Sequence, residues 1–310
     1  EMREQALKSG YEITENENEA DIFVINSCTV TSESDRKTRQ CVRHYKSRYP
    51  LSCVVLTGCM PQSFPQMAEN LIEADIVLGN KNNKLLISSL NEYFKTGCRT
   101  MHLEQHCAGE PLISPGISNF EERTRAILKI EDGCDRFCSY CIIPKARGRV
   151  RWKSLECIKE EVNALTKNGY IEIVLVGINL SAYGKGTELT LADAVSAVNE
   201  NEKVKRIRLG SLEPDHITDE LIEQLSKCDK LCPQFHISLQ SGCDKILKKM
   251  NRHYTSDEYY KLCNKLRSTF EDCTITTDIM VGFPYENNED FEITKVFAEK
   301  VGFEKIHIYH

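Results

Sequence analysis

No apolar run in this 310-residue chain is long enough to cross a bilayer, which argues against a membrane-spanning helix within it. The first residues are polar and mixed in charge, and no signal peptide is expected among them. Positive charge is not in excess either. Forty Lys and Arg face 46 Asp and Glu, for a formal net charge of −6. That balance gives no hint of nucleic acid by itself, although binding can be local and net charge is a weak guide to it. No low-complexity segment interrupts the chain. An initiator methionine is missing: the chain opens at Glu1, and Met2–Ser9 reads like the middle of a helix with no cap before it. At the other end Glu304–His310 reads as a strand that simply stops, so a longer parent chain is expected. The apolar and charged fractions, 41% and 28%, are those of a soluble globular protein with room for two ordinary domains.

What the chain has in plenty is cysteine, 15 residues in all. The number is odd, the chain is too large to need a disulfide scaffold, and nothing signals secretion. A reducing, cytoplasmic setting and cluster ligands among the thiols are therefore expected. The run Lys129-Ile130-Glu131-Asp132-Gly133-Cys134-Asp135-Arg136-Phe137-Cys138-Ser139-Tyr140-Cys141 places three thiolates on one loop. Cys134, Cys138 and Cys141 can hold three irons of a cubane 4Fe–4S cluster, leaving one iron open to an outside ligand. A zinc knuckle is the alternative, but it would need a second cysteine pair or histidines at suitable spacing, and no histidine follows within reach.

Around this run, short apolar strands alternate with helical patterns. Asp21–Asn26, Cys53–Gly58 and Ile76–Gly79 read as strands, with a helix over Ser34–Tyr49, which predicts a parallel sheet covered on both faces. Cys28 and Cys59 each fall just past a strand end, where such sheets gather functional groups. Periodicity fades from Arg99 to about Glu122, where Gly109, Pro111, Pro115 and Gly116 suggest a linker. A second series follows, with strands at Ala126–Ile130, Glu172–Val176, Arg206–Leu209, Phe235–Leu239, Thr274–Val281 and Lys305–Tyr309. Helices are expected between them near Leu155–Asn168, Leu191–Glu200, Asp219–Lys227, Asp257–Thr269 and Asn288–Val301. Six βα steps point to a barrel, or an open part of one, whose site lies at the C-terminal ends of the strands.

The cysteine run matches the signature of the radical-SAM superfamily. The resemblance implies that the open iron binds the amino and carboxylate groups of S-adenosylmethionine (SAM), which one electron cleaves to methionine and a 5′-deoxyadenosyl radical. It also implies that Tyr140, just before the third cysteine, lies near the adenine of SAM. Asn26–Cys28 and Gly58–Gln62, taken with Gly148–Arg151, Leu175–Gly184, Arg208–Pro214, His236–Gly242, Met250–Tyr254 and Asp278–Pro284, resemble the methylthiotransferase family through nearly the whole chain. That family implies an N-terminal cluster domain over residues 1–98, flavodoxin-like, a linker over 99–122 and a partial (βα)6 radical-SAM barrel over 123–310. It implies two 4Fe–4S clusters, the auxiliary one held by Cys28, Cys59 and a third cysteine that this chain starts too late to contain. The usual C-terminal RNA-binding (TRAM) domain is not in the chain. Trp152 stands where serine is usual, and Tyr285 where glycine usually follows Gly-Phe-Pro.

Local motifs narrow the resemblance. Cys28-Thr29-Val30-Thr31, Ser34-Asp35-Arg36-Lys37, Arg39-Gln40 and Cys141-Ile142-Ile143-Pro144 look like the branch, the MtaB type, that acts on threonylcarbamoyl-adenosine in tRNA. Its expected reaction is methylthiolation of carbon 2 of that base in the anticodon loop, with an electron donor and a sulfur donor as further partners and no membrane. Sibling branches act on isopentenyl-adenosine or on a ribosomal-protein aspartate; a non-catalytic iron–sulfur or zinc scaffold is the third reading. Lys145, Arg147, Arg149, Arg151 and Lys153 alternate along one stretch, either as a phosphate-binding stripe or as a solvated basic loop. Trp152 and Tyr140 are available for stacking on an unpaired base. Ser211 and Glu213, at a strand end, either bind SAM's polar groups or cap the loop. His236 and Gln240 flank another strand end and either face the cavity or sit satisfied in the core. Cys41, Cys53, Cys98, Cys107, Cys157, Cys228, Cys232, Cys243, Cys263 and Cys273 are read as structural.

Overall fold

The computed structural model describes residues 2–29, 31–107, 110–112 and 124–310. Val30 of the first cysteine motif, and Gly109, Pro115 and Gly116 of the expected linker, lie outside the described residues. By its contacts the chain divides into two units. One comprises Glu1–Glu110 with Cys141–Arg149, the other Pro111–Tyr140 with Val150–His310. No helix among the described residues is long and apolar enough to cross a membrane.

The first unit is a parallel four-stranded sheet in the order β1 (Ile22–Ser27), β2 (Cys53–Gly58), β3 (Ile76–Gly79), β4 (Thr100–His102). β2 and β3 are buried along their whole length, as continuous apolar runs in a doubly covered sheet should be. Val54, Leu56 and Val77 pack on one face against Val42 of the helix Ser32–Arg48. Cys53, Val55, Ile76 and Leu78 pack on the other against Leu86 and Leu90 of the helix Leu86–Thr96. β4 corrects the expected linker: Thr100–His102 pair with Ile76–Leu78 as an edge strand. Three residues are too few to show a period, so only the partner strand makes this segment extended.

The second unit is an open arc of parallel βα steps. β5 (Ala126–Lys129), β8 (Glu172–Val176) and β9 (Arg206–Leu209) form one ladder; β10 (Ser211–Leu212), β11 (Gln234–Ile237), β12 (Thr274–Met280) and β13 (Lys305–Tyr309) form the next. The two meet where β9 bends through Gly210 into β10, with the Gly210 N–H donating to the Leu175 carbonyl at 2.8 Å. Two short antiparallel strands, β6 (Glu131–Asp132) and β7 (Arg151–Trp152), bracket the cysteine loop. Helices over Leu155–Lys167, Leu191–Asn199, Asp219–Ser226, Ser256–Thr269 and Asn288–Val301 cover the convex side. Three of them start in reciprocal capping boxes, Thr190 with Asp193, Thr255 with Glu258 and Asn287 with Asp290.

The basic stretch is where the structure departs most from expectation. Lys145 and Arg147 lie on a short helix, Ile143–Arg147, not on an extended segment. Arg151 and Lys153 are buried, with Arg151 paired to Asp132 at 3.6 Å and Lys153 paired to Glu161. Trp152 is half-buried and packs against the main core. β6 pairs with β7 and fixes this outcome, since pairing turns alternate side chains inward.

Candidate active site

Strand parity builds the concave face of the second unit. Ile173, Leu175, Ile207, Phe235, Ile237, Ile275 and Ile279 point into the core beneath the helices. Their neighbours Glu172, Arg208, Gln234, His236, Thr276 and Asp278 therefore take the opposite face. One polar layer joins Arg208 Nε to Glu172 Oε1 at 2.8 Å and Arg208 Nη1 to Gln234 Oε1 at 3.4 Å. The next layer toward the strand ends is His236, Asp278 and His307. His236 Nε2 lies 3.2 Å from Asp278 Oδ2, and His307 Nδ1 lies 3.2 Å from Asp278 Oδ1. His236 Nδ1 meets Thr276 Oγ1 at 2.9 Å. Burial works to raise the Asp278 pKa, but the bonds from His236 and His307 outweigh it and hold the carboxyl below its ordinary value. His236 is thus neither a lone core residue nor an isolated cavity residue. Gln240, beyond the end of β11, adopts φ 66° and donates its N–H to the Asp278 carbonyl at 2.8 Å.

The cysteine loop leaves β6 through Gly133 at φ 88° and turns again at Phe137, at φ 51°. A left-handed conformation at a non-glycine residue needs support from its surroundings. Here Asn251 Nδ2 donates to the Phe137 carbonyl at 3.0 Å, and Ser139 donates its N–H to Met250 O at 3.1 Å and its hydroxyl to Lys249 O at 2.9 Å. Cys134 is buried; Cys138 and Cys141 are half-buried. Contacts assign Cys134 and Cys138 to the second unit and Cys141 to the first. Two sulfurs already receive donors: the Arg136 N–H points at Cys134 Sγ at 3.4 Å, and Arg252 Nη1 at Cys138 Sγ at 3.2 Å. Donors aimed at sulfur suit electron-rich thiolates, so the residues fit an iron–sulfur cluster.

Arg252 ties this loop to the strand ends. Its Nη2 meets Glu213 Oε2 at 2.5 Å and the Ser238 carbonyl at 3.3 Å, and its Nε meets the Tyr254 hydroxyl at 3.0 Å. Burial alone would lower the Arg252 pKa, but the Glu213 carboxylate overcomes it and the guanidinium stays charged. Arg136 Nη2 pairs similarly with Asp215 at 2.6 Å. Tyr140 is exposed and meets Phe283 edge-on, ring centroids 6.0 Å apart. Ser211 is exposed and stands opposite His236 in the β10–β11 register. Arg252, Asp278 and His307 carried no site expectation from the sequence. Their signal was position: Asp278 and His307 share the strand parity of His236 on consecutive strands.

In the first unit, Ser27 of β1 pairs with Gly58 of β2, so Cys28 and Cys59 follow two paired residues at adjacent strand ends. Gly58 pairs in turn with Gly79 of β3, and the next residue, Asn80, donates from Nδ2 to Cys59 Sγ at 3.4 Å and to the Ala146 carbonyl at 2.9 Å. Ser27 Oγ donates to Thr57 O at 2.6 Å and accepts the Met60 N–H at 3.1 Å, pinning the turn that presents Cys59. Gly58 sits at φ +102°, where a Cβ would lie 2.4 Å from Ser27 O. Of the cysteines read as structural, burial pushes the thiols of Cys53 and Cys263 up to about 12, where they are inert as nucleophiles.

Residues 128–298 match the family model described as the Radical SAM superfamily, and residues 1–79 match the one described as Uncharacterized protein family UPF0004. The chain is 38% identical over 309 residues to the threonylcarbamoyladenosine tRNA methylthiotransferase MtaB of Thermotoga maritima, an alignment covering 99% of this chain and 70% of that protein. It is 35% identical over 306 residues to a tRNA-2-methylthio-N(6)-dimethylallyladenosine synthase of Clostridium botulinum, covering 96% of this chain and 67% of that protein. In fold it is similar to the radical S-adenosylmethionine methyltransferase TsrM of Kitasatospora setae solved with cobalamin and a [4Fe-4S] cluster. The TM-score is 0.71 at 14% identity, over 99% of this chain and 71% of that one.

Proposed function

This chain belongs to the radical-SAM superfamily and, within it, to the methylthiotransferases; on that premise we propose that it methylthiolates carbon 2 of N6-threonylcarbamoyladenosine beside the tRNA anticodon. The observation that carries the reading is the cysteine loop, braced at the strand ends with donors already aimed at Cys134 and Cys138. In this proposal Cys134, Cys138 and Cys141 hold the radical-SAM 4Fe–4S cluster, and Cys28 and Cys59 contribute to a second one. When bound, the cluster and SAM supply one-electron radical chemistry, which an aromatic C–H requires because it has no acidic proton and no leaving group.

The protein's own groups bind and orient. Tyr140 offers an aromatic surface to the adenine of SAM. Glu213, with Ser211 beside it, presents an anion to SAM's ammonium group, and Arg252 fixes the position of that carboxylate. The charged guanidinium also donates to Cys138 Sγ, so one side chain couples SAM binding to the cluster loop. An anticodon-loop base is already unpaired, which keeps the cost of extruding it small. A cytoplasmic setting, an electron donor and a sulfur donor complete the proposal.

A second reading, isopentenyl-adenosine as the substrate, is favoured by the similarity to the C. botulinum enzyme. Nucleoside mass analysis of tRNA from cells with and without the gene separates the two. Loss of the 2-methylthio form of threonylcarbamoyladenosine is the expected result; loss of the isopentenyl form, or no change in tRNA, overturns the proposal. In the purified, reconstituted protein, alanine at Cys134, Cys138 or Cys141 is expected to abolish SAM cleavage, and cleavage at the normal rate in any of the three would refute the cluster assignment.

A further inference from the structure

We infer that His236, Asp278 and His307 form the wall that reads the N6 substituent of the base, accepting one that donates a hydrogen bond and rejecting one that is purely apolar. The inference rests on the reading above that the substrate is an N6-modified adenosine of tRNA.

The cluster has the right address. Arg252 touches Cys138 Sγ with one nitrogen and the Ser238 carbonyl with another. Ser238 stands two residues beyond His236, a rise of about 7 Å along a strand. The three side chains thus lie one layer below the cysteine loop, on the concave face, at the strand ends where barrels place their sites. In adenine, C2 and C6 flank the same ring nitrogen, N1. A base that presents C2 to the cysteine loop must send its N6 substituent to a neighbouring wall.

The wall is also chemically selective. An ionised carboxylate only accepts hydrogen bonds, so each imidazole must turn an N–H toward Asp278. His236 then carries its hydrogen on Nε2 and takes the Thr276 hydroxyl at Nδ1, which engages both of its nitrogens. His307 carries its hydrogen on Nδ1, and in the neutral ring Nε2 is left as an acceptor with no partner among the described residues. The side chains of His236 and Asp278 are 15% and 20% exposed, that of His307 43%, so His307 is the member of the cluster most open to a ligand. A threonylcarbamoyl group offers this nitrogen a hydroxyl and N–H groups. A dimethylallyl group offers no donor and would strip water from the polar cluster without replacing it, a mismatch that sites built on buried polar groups reject strongly.

The test uses the full-length parent protein with its clusters reconstituted, and two anticodon stem-loops that carry threonylcarbamoyladenosine or isopentenyl-adenosine at the same position. Asp278→Asn can donate to His307 Nδ1, which moves the ring hydrogen to Nε2 and inverts the acceptor. His307→Phe removes it. Each variant is expected to lower kcat/KM for the threonylcarbamoyl loop by roughly tenfold or more, to narrow the ratio between the two loops, and to keep its iron content. His307→Gln, with an amide oxygen in reach of the same place, is expected to recover part of the ratio. An unchanged ratio in all three variants overturns the inference. So does one equivalent of zinc per chain that is lost in Asp278→Asn, since the cluster would then be a metal site. A wild-type protein that turns over only the isopentenyl loop, or neither, instead sinks the proposed function itself.

Discussion

At the scale of single residues, Glu131 links sequence, burial and pH. It opens β6 fully buried, with Oε2 accepting the Asn179 N–H at 2.7 Å. Gly177 leaves room for it, since a Cβ there would come within 2.5 Å of Oε2. Burial pushes its pKa up to about 8, against the pull of the Asn179 N–H. The folded chain therefore keeps a proton that the unfolded chain loses near its ordinary value of 4.5. Its contribution to stability is whole below that value and falls as pH rises toward 8, by up to about 4–5 kcal/mol at roughly 1.4 kcal/mol per unit. Glu131→Gln, neutral at every pH, is expected to flatten the urea-midpoint profile between pH 5 and 8 and to be the more stable protein at pH 8. Parallel profiles for the two proteins would mean that Glu131 ionises freely in the fold. The carboxylate could be read in the sequence, beside the cysteine run. Its burial could not, because Asn179 and Gly177 reach it from almost fifty residues away.

At the scale of elements, residues 143–153 show why alternating charge is a poor guide to a surface. The basic residues read as one stripe; the fold gives Lys145 and Arg147 to a helix and buries Arg151 and Lys153 in ion pairs. Lys145 and Arg149 are the exposed basic residues of this stretch, and two phosphate contacts would limit its share of the salt slope for tRNA binding to about −1.4 to −1.8. Lys145→Ala with Arg149→Ala is expected to weaken binding for all tRNA sequences alike and to flatten the slope in a fluorescence titration over salt. Lys153→Met is expected to leave tRNA affinity where it was and to lower stability, because it removes a buried ammonium from its ion pair with Glu161. The opposite pattern would place the RNA surface on β7. Longer elements were legible. The helices Leu155–Lys167 and Asn288–Val301 and the strands Glu172–Val176 and Lys305–Tyr309 fall within a residue of expectation. Each has enough length for its period to emerge.

At the scale of the whole molecule, the proposed function gives the two cysteine sets two different jobs. Cys28 and Cys59 cap adjacent strands of the first unit's sheet, apart in sequence from the loop of Cys134 and Cys138 in the second. In the full-length parent protein, alanine at Cys28 or Cys59 is expected to leave SAM cleavage and to stop methylthiolation, followed as 5′-deoxyadenosine and methylthio-nucleoside by mass spectrometry. Equal loss of both products, with the iron of the first cluster intact, would count against separate roles.

The cysteine spacing, the alternation of strands with helices and the family were determined by the sequence alone, because each rests on local order along the chain. Spacing of a few residues decides which thiolates share a loop, and a short apolar run decides a buried strand. Only the tertiary structure decided which distant groups meet. Arg252 reaches Cys138 across 114 positions, and Asp278 joins two imidazoles 42 and 29 positions away, at His236 and His307. Those contacts depend on strand order and register in a parallel sheet, and the contact of buried Arg252 gains strength because burial removes the water that would screen it.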